Sequence, residues 1–268
     1  MKKLFKDGEA ERVTVRVNKV IKLKAIIGKV FKHTPKSLVL FTILVASTLW
    51  SWGQHTIEIK HKYYTVQFDT AFCQGILNHY TQTIAHHNSP KLKREGSLLT
   101  EFHKDQLIPS KWQTVSKSDY ANYNKKYKGD KHNTVDIGHI IPYQSMSFDS
   151  IAAEETMMFS TNTAFQISWF NEQQWKNIEA IVFDSIGSKY DCEVYTGVLI
   201  STSHPHKYNQ VYIADYYFKI VKFDHLTLAW LGLNSPTNTS TKPSDAAISI
   251  DKLKAIILQY YPQIKLPF

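Results

Sequence analysis

The alternation of hydrophobic and polar positions predicts several strands and helices after residue 60. Residues 61–69, HKYYTVQFD, alternate with the period of a half-buried strand. The next segment, 70–87, predicts a helix that begins at Asp69 or Thr70 as its cap. Residues 88–132 are polar and rich in Lys, Ser, Asn and Tyr. They predict loops, which often carry substrate contacts.

The second half of the chain contains the clearest helical pattern. Over residues 170–187, Trp175, Ile178 and Val182 recur on one face, and Gly187 is placed to end the helix. Further elements are predicted as strands at 192–200 and 208–224, a loop at 235–247 and a terminal helix at 249–262. Strands and helices are mixed without regular βαβ alternation, so the pattern predicts an α+β fold.

The N-terminus differs sharply from the rest of the chain. Residues 1–36 carry 11 Lys and Arg against 3 Asp and Glu, whereas residues 37–57 contain none of these and centre on LVLFTILVASTLW. This pattern predicts either a cleaved signal peptide or a single-pass membrane anchor whose basic flank stays in the cytoplasm. A buried core helix is the alternative, which the charge asymmetry disfavours. Residues 58–268 are then expected to form one exported domain, either secreted, periplasmic or membrane-anchored.

The charge of the chain is concentrated in that N-terminal tail. Of the formal net charge of +9, residues 1–36 hold +8, which leaves +1 for residues 37–268. A domain-wide basic surface is therefore not predicted, although a local basic patch is compatible with these numbers. Past residue 36 a single arginine remains, Arg94. Arginine is the usual bidentate ligand of phosphate, so Arg94 is a candidate binding residue.

The cysteine content is low. Cys73 and Cys192 are the two cysteines of the chain. In an exported domain they could form one disulfide, or they could be two buried thiols, and the sequence does not decide between these alternatives. No CxxC pair or Cys/His cluster predicts a zinc site.

The predicted helix 170–187 carries oxygen ligands on one face. Asn171, Trp175 and Glu179 follow one another at intervals of four residues, so they project within about 80° of one another. Mg²⁺ prefers oxygen ligands and often keeps several waters. Asn171 and Glu179 are therefore candidates for a metal site, although an amphipathic helix with a buried Trp explains the same pattern.

A candidate general base lies in TVDIGHIIPY, residues 134–143. This segment predicts a strand broken at Gly138, which is followed by His139. Imidazole has a pKa suited to taking a proton from water near pH 7, whereas a plain turn is the alternative for this position. Asn162 adds a polar side chain between the strand and the helix.

Taken together, DIGH and the downstream segment STNTAFQISWFNEQQWKNIE resemble the DNA/RNA non-specific endonucleases. These are the endonuclease G-like branch of the His-Me finger, or ββα-metal, nucleases. The residues that fall on the family pattern with fitting spacing are Asp136, Gly138, His139, Asn162, Gln166, Asn171, Trp175 and Glu179. The resemblance extends over about residues 58–268 and is sharp over about 127–200. It implies a His-Me finger core on a mixed, mainly antiparallel sheet flanked by helices.

The resemblance also implies roles for individual residues. His139 would be the general base that activates water, and Asn171 would bind Mg²⁺, or Mn²⁺ in its place. Glu179 would hold metal-bound water, and Asn162 would position the base or the phosphate. Asp136 would shape the turn, as would Gly138. DNA and RNA would be substrates, and relatives of this branch are often dimers.

Two residues depart from the family pattern. Ile137 replaces an arginine that pairs with the substrate phosphate, and Phe165 replaces a proline. Loss of such a cationic contact can cost about 2–4 kcal/mol at the transition state. Arg94, or a lysine of KKYKGDK at 125–131, could replace it.

Two hypotheses follow for the function. The first is an exported, metal-dependent endonuclease without sequence or sugar specificity. The second is a catalytically weakened or inactive, membrane-associated protein that binds nucleic acid or another polyanion on the same fold. The enzyme hypothesis requires His139 and Asn171 to face a common cavity.

Overall fold

The computed structural model describes residues 56–268. The predicted basic tail lies outside the described residues. So does the predicted hydrophobic segment, except for Thr56 and Ile57, which open the first strand. Among the described helices, none has the length and apolar character needed to cross a membrane.

The described strands form two sheets. They are β1 (Thr56–Lys60), β2 (Tyr64–Asp69), β3 (Gln74–Gln82), β4 (Val135–His139), β5 (Thr163–Ile167), β6 (Cys192–Leu199), β7 (His206–Tyr208), β8 (Val211–Ile213), β9 (Tyr216–Phe223) and β10 (Leu226–Leu233). The larger sheet has the order β1-β2-β3-β6-β9-β10 and is antiparallel throughout. The smaller sheet has the order β4-β5-β8-β7, and its β5–β8 pair is parallel. The predicted α+β class with mainly antiparallel pairing is confirmed.

The helices connect and cover these sheets. They are α1 (Ile84–Asn88), α2 (Ser97–Thr100), α3 (Lys117–Asn124), α4 (Tyr143–Met146), α5 (Ser150–Glu155), α6 (168–186) and α7 (Ile250–Tyr260). Single 3₁₀ turns lie at Ser110–Trp112, Lys125–Tyr127 and Pro243–Asp245. Helix α6 contains two π-helical segments, Asn171–Trp175 and Ile181–Ile186.

Residues 70–87 form a turn, strand β3 and most of the short helix α1, so the prediction of a single helix over this segment is wrong. Strand β3 lies between β2 and β6 and is buried on both faces, with Tyr80 in one core and Leu77 in the other. A strand buried on both faces loses the alternation that identifies strands in a sequence. Asp69 does act as a cap, but of a turn, because its Oδ1 accepts the backbone N–H groups of Ala71 and Phe72 at 2.8 and 3.0 Å.

Other predicted elements are altered in detail. The polar segment 88–132 contains helices α2 and α3 in addition to loops. The predicted strand 208–224 is interrupted between β8 and β9, which belong to different sheets. Cys73 and Cys192 are both free thiols, so the disulfide alternative is not realised.

Two hydrophobic cores flank the larger sheet. One packs α6 against the sheet and includes Val66, Val194, Trp175, Ile178, Val182 and Val221. The other lies under α7 and includes Leu77, Ile220, Leu253 and Ile257. The face of α6 predicted from Trp175, Ile178 and Val182 is thus the buried face, since these side chains are at most 2% exposed.

Strands β4 and β5 and helix α6 form the ββα unit that the sequence resemblance implies. Strand β5 passes directly into α6, and its antiparallel partner β4 places His139 opposite Thr163. The strand end that carries His139 and the first turns of α6 are therefore connected through one short strand.

Candidate active site

Gly138 is required by close packing between β4 and β5. A Cβ atom at this position would collide with the side chain of Gln166, which is fully buried. The glycine thus lets β4 approach a protein side chain closely. As a consequence, the backbone just before His139 is fixed by β5.

His139 lies half-buried at the end of β4, with its ring held by two neighbours. Its Nε2 is 3.1 Å from Nη2 of Arg94, and its ring centroid is 5.1 Å from that of Phe102. A guanidinium only donates hydrogen bonds, so Nε2 accepts and the neutral ring carries its proton on Nδ1. Burial, together with the charge of Arg94, lowers the pKa of His139 to about 3. The imidazole is therefore neutral at pH 7.

Arg94 is itself held by an aromatic ring. Its guanidinium carbon lies 4.5 Å from the ring centroid of Tyr143, which follows β4 at the start of α4. The hydroxyl of Tyr143 lies 3.4 Å from the carbonyl oxygens of Leu92 and Lys93. These contacts fix the loop before α2 beside the end of β4, with the guanidinium turned toward His139.

Both residues line a cavity of about 440 Å³. Its walls come from the 94–102 segment, helix α3, strand β4 and the start of α6. The lining residues are Arg94, Phe102, Lys117, Tyr120, Ala121, Asn124, Val135, Asp136, Ile137, His139 and Asn171. His139 and Asn171 therefore face a common cavity, which is the geometric condition set by the enzyme hypothesis.

Asp136 orients Asn171. The Nδ2 of Asn171 donates to Oδ2 of Asp136 at 2.8 Å, while the hydroxyl of Ser168 donates to Oδ1 of Asp136 at 2.8 Å. Because its amide nitrogen is used in this way, Asn171 has its Oδ1 available to a ligand in the cavity. Asp136 was expected to shape the turn, and its contacts instead tie β4 to the first turn of α6.

This arrangement fits a hard cation bound by few protein atoms. No group of three or more His, Cys, Asp or Glu that could hold a metal is present among residues 56–268. An amide oxygen is a suitable ligand for Mg²⁺, which often keeps several waters and takes one or two protein ligands. Asn171 supplies such an oxygen, whereas a soft or multi-histidine metal site does not fit the residues present.

Asn162 does not line the cavity, although the sequence made it a catalytic candidate. It is fully buried. Its Oδ1 accepts from the backbone N–H of Ile141 at 2.8 Å and from Nδ2 of Asn78 at 3.1 Å. Its Nδ2 donates to the carbonyls of Ile141 and Thr156, both at 3.0 Å. Asn162 thus holds the segment directly after His139 in place, which makes it a positioning residue.

Glu179 is also absent from the cavity wall. Its Oε1 lies 3.9 Å from Nζ of Lys219, a fully buried lysine on β9, and the ammonium is 5.1 Å from the ring centroid of Trp175. Burial raises the pKa of Glu179, and the charge of Lys219 opposes that change. Helix α6 is π-helical over Asn171–Trp175, between these two residues. Asn171 lines the cavity, whereas Glu179 contacts Lys219.

Several residues of this region carry no local sequence signal. Lys117 lines the cavity from helix α3, and Lys219 lies within an apolar strand. Ile137 lies on the cavity wall, in the position where the family pattern has an arginine. Arg94 enters the same cavity, whereas none of the lysines at 125–131 lines it.

The comparisons with known proteins agree with this ββα geometry. A family model described as DNA/RNA non-specific endonuclease matches residues 47–256. Among solved structures, the chain is similar to the crystal structure of the EndoG/EndoGI complex, which concerns the mechanism of EndoG inhibition. That match has 16% sequence identity and a TM-score of 0.58, and it covers 78% of this chain and 88% of the other. It supports the fold. No curated protein matches the chain. Because the family model spans well over half of the sequence, the chain belongs to the DNA/RNA non-specific endonuclease family.

Proposed function

We propose that this protein is a metal-dependent endonuclease that hydrolyses phosphodiester bonds of DNA and RNA without sequence or sugar specificity. The observation that carries the proposal is the single cavity lined by His139, Asn171 and Arg94. These residues supply a neutral base, an oxygen ligand and a fixed cation, which are the groups that phosphodiester hydrolysis needs.

In this proposal His139 is the general base. Its lowered pKa keeps the imidazole neutral at pH 7, so a ring nitrogen can accept a proton from water. The water oxygen attacks the phosphorus and its proton passes to His139. The bond from phosphorus to the 3′ oxygen breaks, and that oxygen takes a proton from solvent. The products carry a 5′-phosphate and a 3′-hydroxyl.

Asn171 is the proposed direct metal ligand. The hydrogen bond from its amide nitrogen to Asp136 directs Oδ1 toward the cavity and prevents the amide from turning over. A divalent cation, Mg²⁺ or Mn²⁺, would supply neutralisation of charge on the phosphate and on the leaving oxygen. Glu179 is proposed to hold metal-bound water, and its carboxylate is restrained by the ion pair with Lys219.

Arg94 is the proposed phosphate ligand in place of the missing family arginine. Its guanidinium already lies 3.1 Å from the base and is stacked on Tyr143, so little ordering is needed when an anionic oxygen enters the cavity. A phosphate that accepts the Nη2 hydrogen bond would also free Nε2 of His139. Contacts of this kind address the backbone and carry no sequence information, which accounts for non-specific cleavage.

The apolar side chain of Ile137 on the cavity wall favours the second candidate, a weakened or inactive protein that binds nucleic acid or another polyanion. The two candidates predict different behaviour of the same purified protein. A binding protein retains nucleic acid without cleaving it, whereas the proposed enzyme degrades it.

The test is degradation of plasmid DNA and of RNA by the full-length protein with Mg²⁺, with EDTA, and by the H139A variant. The proposed mechanism requires activity with Mg²⁺ that is lost in both of the other samples. Cleavage that survives in EDTA or in H139A contradicts the mechanism. Binding without any cleavage supports the second candidate.

A further inference from the structure

The small positive charge of residues 37–268 is unevenly distributed. Residues 111–131 contain 6 Lys against 2 Asp, a net charge of +4. The remainder of residues 37–268 therefore carries −3. The basic character of the folded part is thus gathered on helix α3 and the residues beside it, and α3 lines the cavity.

Helix α3 and the β7–β8 hairpin form one surface of lysines and tyrosines. We name it the lysine–tyrosine surface, and it consists of Lys117, Tyr123, Lys125, Lys126, Tyr127, Lys128, Lys207, Tyr208 and Tyr212. Its two parts are in contact, since Nζ of Lys126 lies 4.6 Å from the ring centroid of Tyr208 and the ring of Tyr123 packs on Tyr208 at 5.2 Å. Asn209 also donates to Asp119 across this boundary at 3.3 Å.

The lysines of this surface keep their charge available. Lys117, Lys125, Lys126, Lys128 and Lys207 are exposed. Within the described part of the chain, none of the ion pairs involves any of them. By contrast, Lys131 is paired with Glu172. Two of the ammonium groups lie over tyrosine rings. Nζ of Lys207 is 3.9 Å from the ring centroid of Tyr212, and Nζ of Lys126 lies over the ring of Tyr208.

The surface is rigidly joined to the candidate active site. The side chain of Asn124, at the end of α3, exchanges two hydrogen bonds of 2.8 Å with the backbone of Val135, the first residue of β4. Lys117, Ala121 and Asn124 line the cavity along one stripe of the helix. At the other end, β7 is the far strand of the sheet that begins with β4. Three steps between neighbouring strands separate them, which is about 14 Å.

We propose that the lysine–tyrosine surface binds the sugar–phosphate backbone of the substrate on one side of the phosphate that enters the cavity. About 14 Å corresponds to roughly four base-pair steps of one strand of a duplex. This inference rests on the proposed function for the identity of the ligand and adds where the flanking nucleotides bind. Since the contacts are ammonium groups, DNA and RNA are expected to use the same surface.

The test compares two charge reversals of equal size in the full-length protein. K126E/K128E changes the proposed surface, and K189E/K265E changes two exposed lysines elsewhere on the molecule. Each pair is combined with H139A so that binding of labelled DNA and RNA oligonucleotides is measured without cleavage, by fluorescence anisotropy at several salt concentrations. Thermal unfolding of each variant checks that the exposed positions leave the fold intact.

We expect K126E/K128E to weaken binding by at least tenfold at low salt and to reduce the slope of log K against log salt by about two, one for each lysine. A K126Q/K128Q variant should lose less affinity with the same change of slope. In the background that retains His139, the loss should appear as a raised KM. Equal losses in both charge-reversal pairs, or no loss in K126E/K128E, would overturn the proposal. Binding is measured with H139A and cleavage with the protein that retains His139, so the two proposals fail separately. Binding through this surface without cleavage by the His139-containing protein contradicts the proposed enzyme and still supports this surface.

Discussion

Lys219 on strand β9 and Glu179 on helix α6 form an ion pair between the larger sheet and that helix, with 3.9 Å between Nζ and Oε1. The lysine side chain is fully buried and that of Glu179 is 22% exposed. Within the described residues, the ammonium has no hydrogen-bond partner. A buried charge that loses its only counter-charge is strongly unfavourable, so the two residues depend on each other.

Removal of either charge alone is expected to lower the free energy of unfolding by about 3 kcal/mol. K219M leaves the carboxylate uncompensated, and E179Q leaves the ammonium uncompensated. The double variant should lose clearly less than the sum of the two, by more than about 1 kcal/mol, as measured by urea unfolding without added metal. The exposed pair Lys222 and Glu193 is the matched control, and its coupling should be below about 1 kcal/mol. Additive losses at positions 219 and 179 would contradict this prediction.

The hydrogen bond between Asp136 and Asn171 is expected to control metal affinity. In D136N, the new amide nitrogen at position 136 can face the amide nitrogen of Asn171. Two donors then oppose each other, which favours rotation of the Asn171 amide so that its nitrogen points into the cavity. Affinity for Mg²⁺ or Mn²⁺, measured by calorimetry, should fall by about 10–100-fold. The control S168A removes the other hydrogen bond to Asp136 and should leave most of the affinity. Unchanged metal binding in D136N would exclude this role for Asp136.

Arg94 is expected to carry the phosphate contact that Ile137 cannot make. R94M should lower kcat/KM for plasmid cleavage by about 10²–10³-fold, which is the cost of losing one charged contact to the transition state. Because both side chains line the same cavity, the double variant R94M/I137R should recover part of that loss. K189M serves as the control for loss of a positive charge outside the cavity. Wild-type activity in R94M would show that another group binds the phosphate.

The lowered pKa of His139 has a consequence for stability against pH. The folded pKa of about 3 lies below the unfolded value of 6.5, so between these values the unfolded chain binds more protons. The contribution of neutral His139 to the free energy of unfolding is complete above pH 6.5 and is lost as the pH falls toward 3. The free energy of unfolding of the wild type minus that of H139Q should therefore decrease by up to about 1 kcal/mol for each pH unit between pH 6.5 and 5.

The comparison with H139Q also separates this effect from the titration of His61. Burial lowers the pKa of His61, but hydrogen bonds and charge interactions with Asp105 and Glu155 raise it above its ordinary value. The stability that His61 contributes is present at low pH and is lost as the pH rises. Its pH dependence is therefore opposite in sign to that of His139. Because both proteins contain His61, its contribution cancels in their difference. A difference that is independent of pH would mean that His139 titrates normally in the folded protein.

Much of the ββα unit was predictable, because its signals are local. The strand before His139 and the helix after residue 168 each follow a clear periodicity, and the resemblance assigned Asp136, His139 and Asn171. Strand β3 was not predictable from alternation, since burial on both faces removes the polar positions. Helix α3 was missed because its sequence, KSDYANYN, is polar around its circumference.

The contacts that complete the candidate site come from distant parts of the chain. Arg94 and His139 are 45 residues apart, and only the folded chain shows that their side chains meet. Lys219 was not identified because a lysine in an otherwise apolar strand is expected to point outward. The motif named Asn162, but its role depends on whether its amide faces the cavity or the backbone, which a spacing pattern does not encode.

Asn162 joins Asn78, 84 residues earlier in the chain, to the segment that follows His139. A single amide thus closes a loop that spans β3, all of the cavity-lining loop segments and strand β4. The anchoring of the segment after His139 therefore depends on β3, which pairs with β2 and β6 in the larger sheet. The proposed cleavage activity would then require the complete domain and would be absent from a fragment that lacks β3.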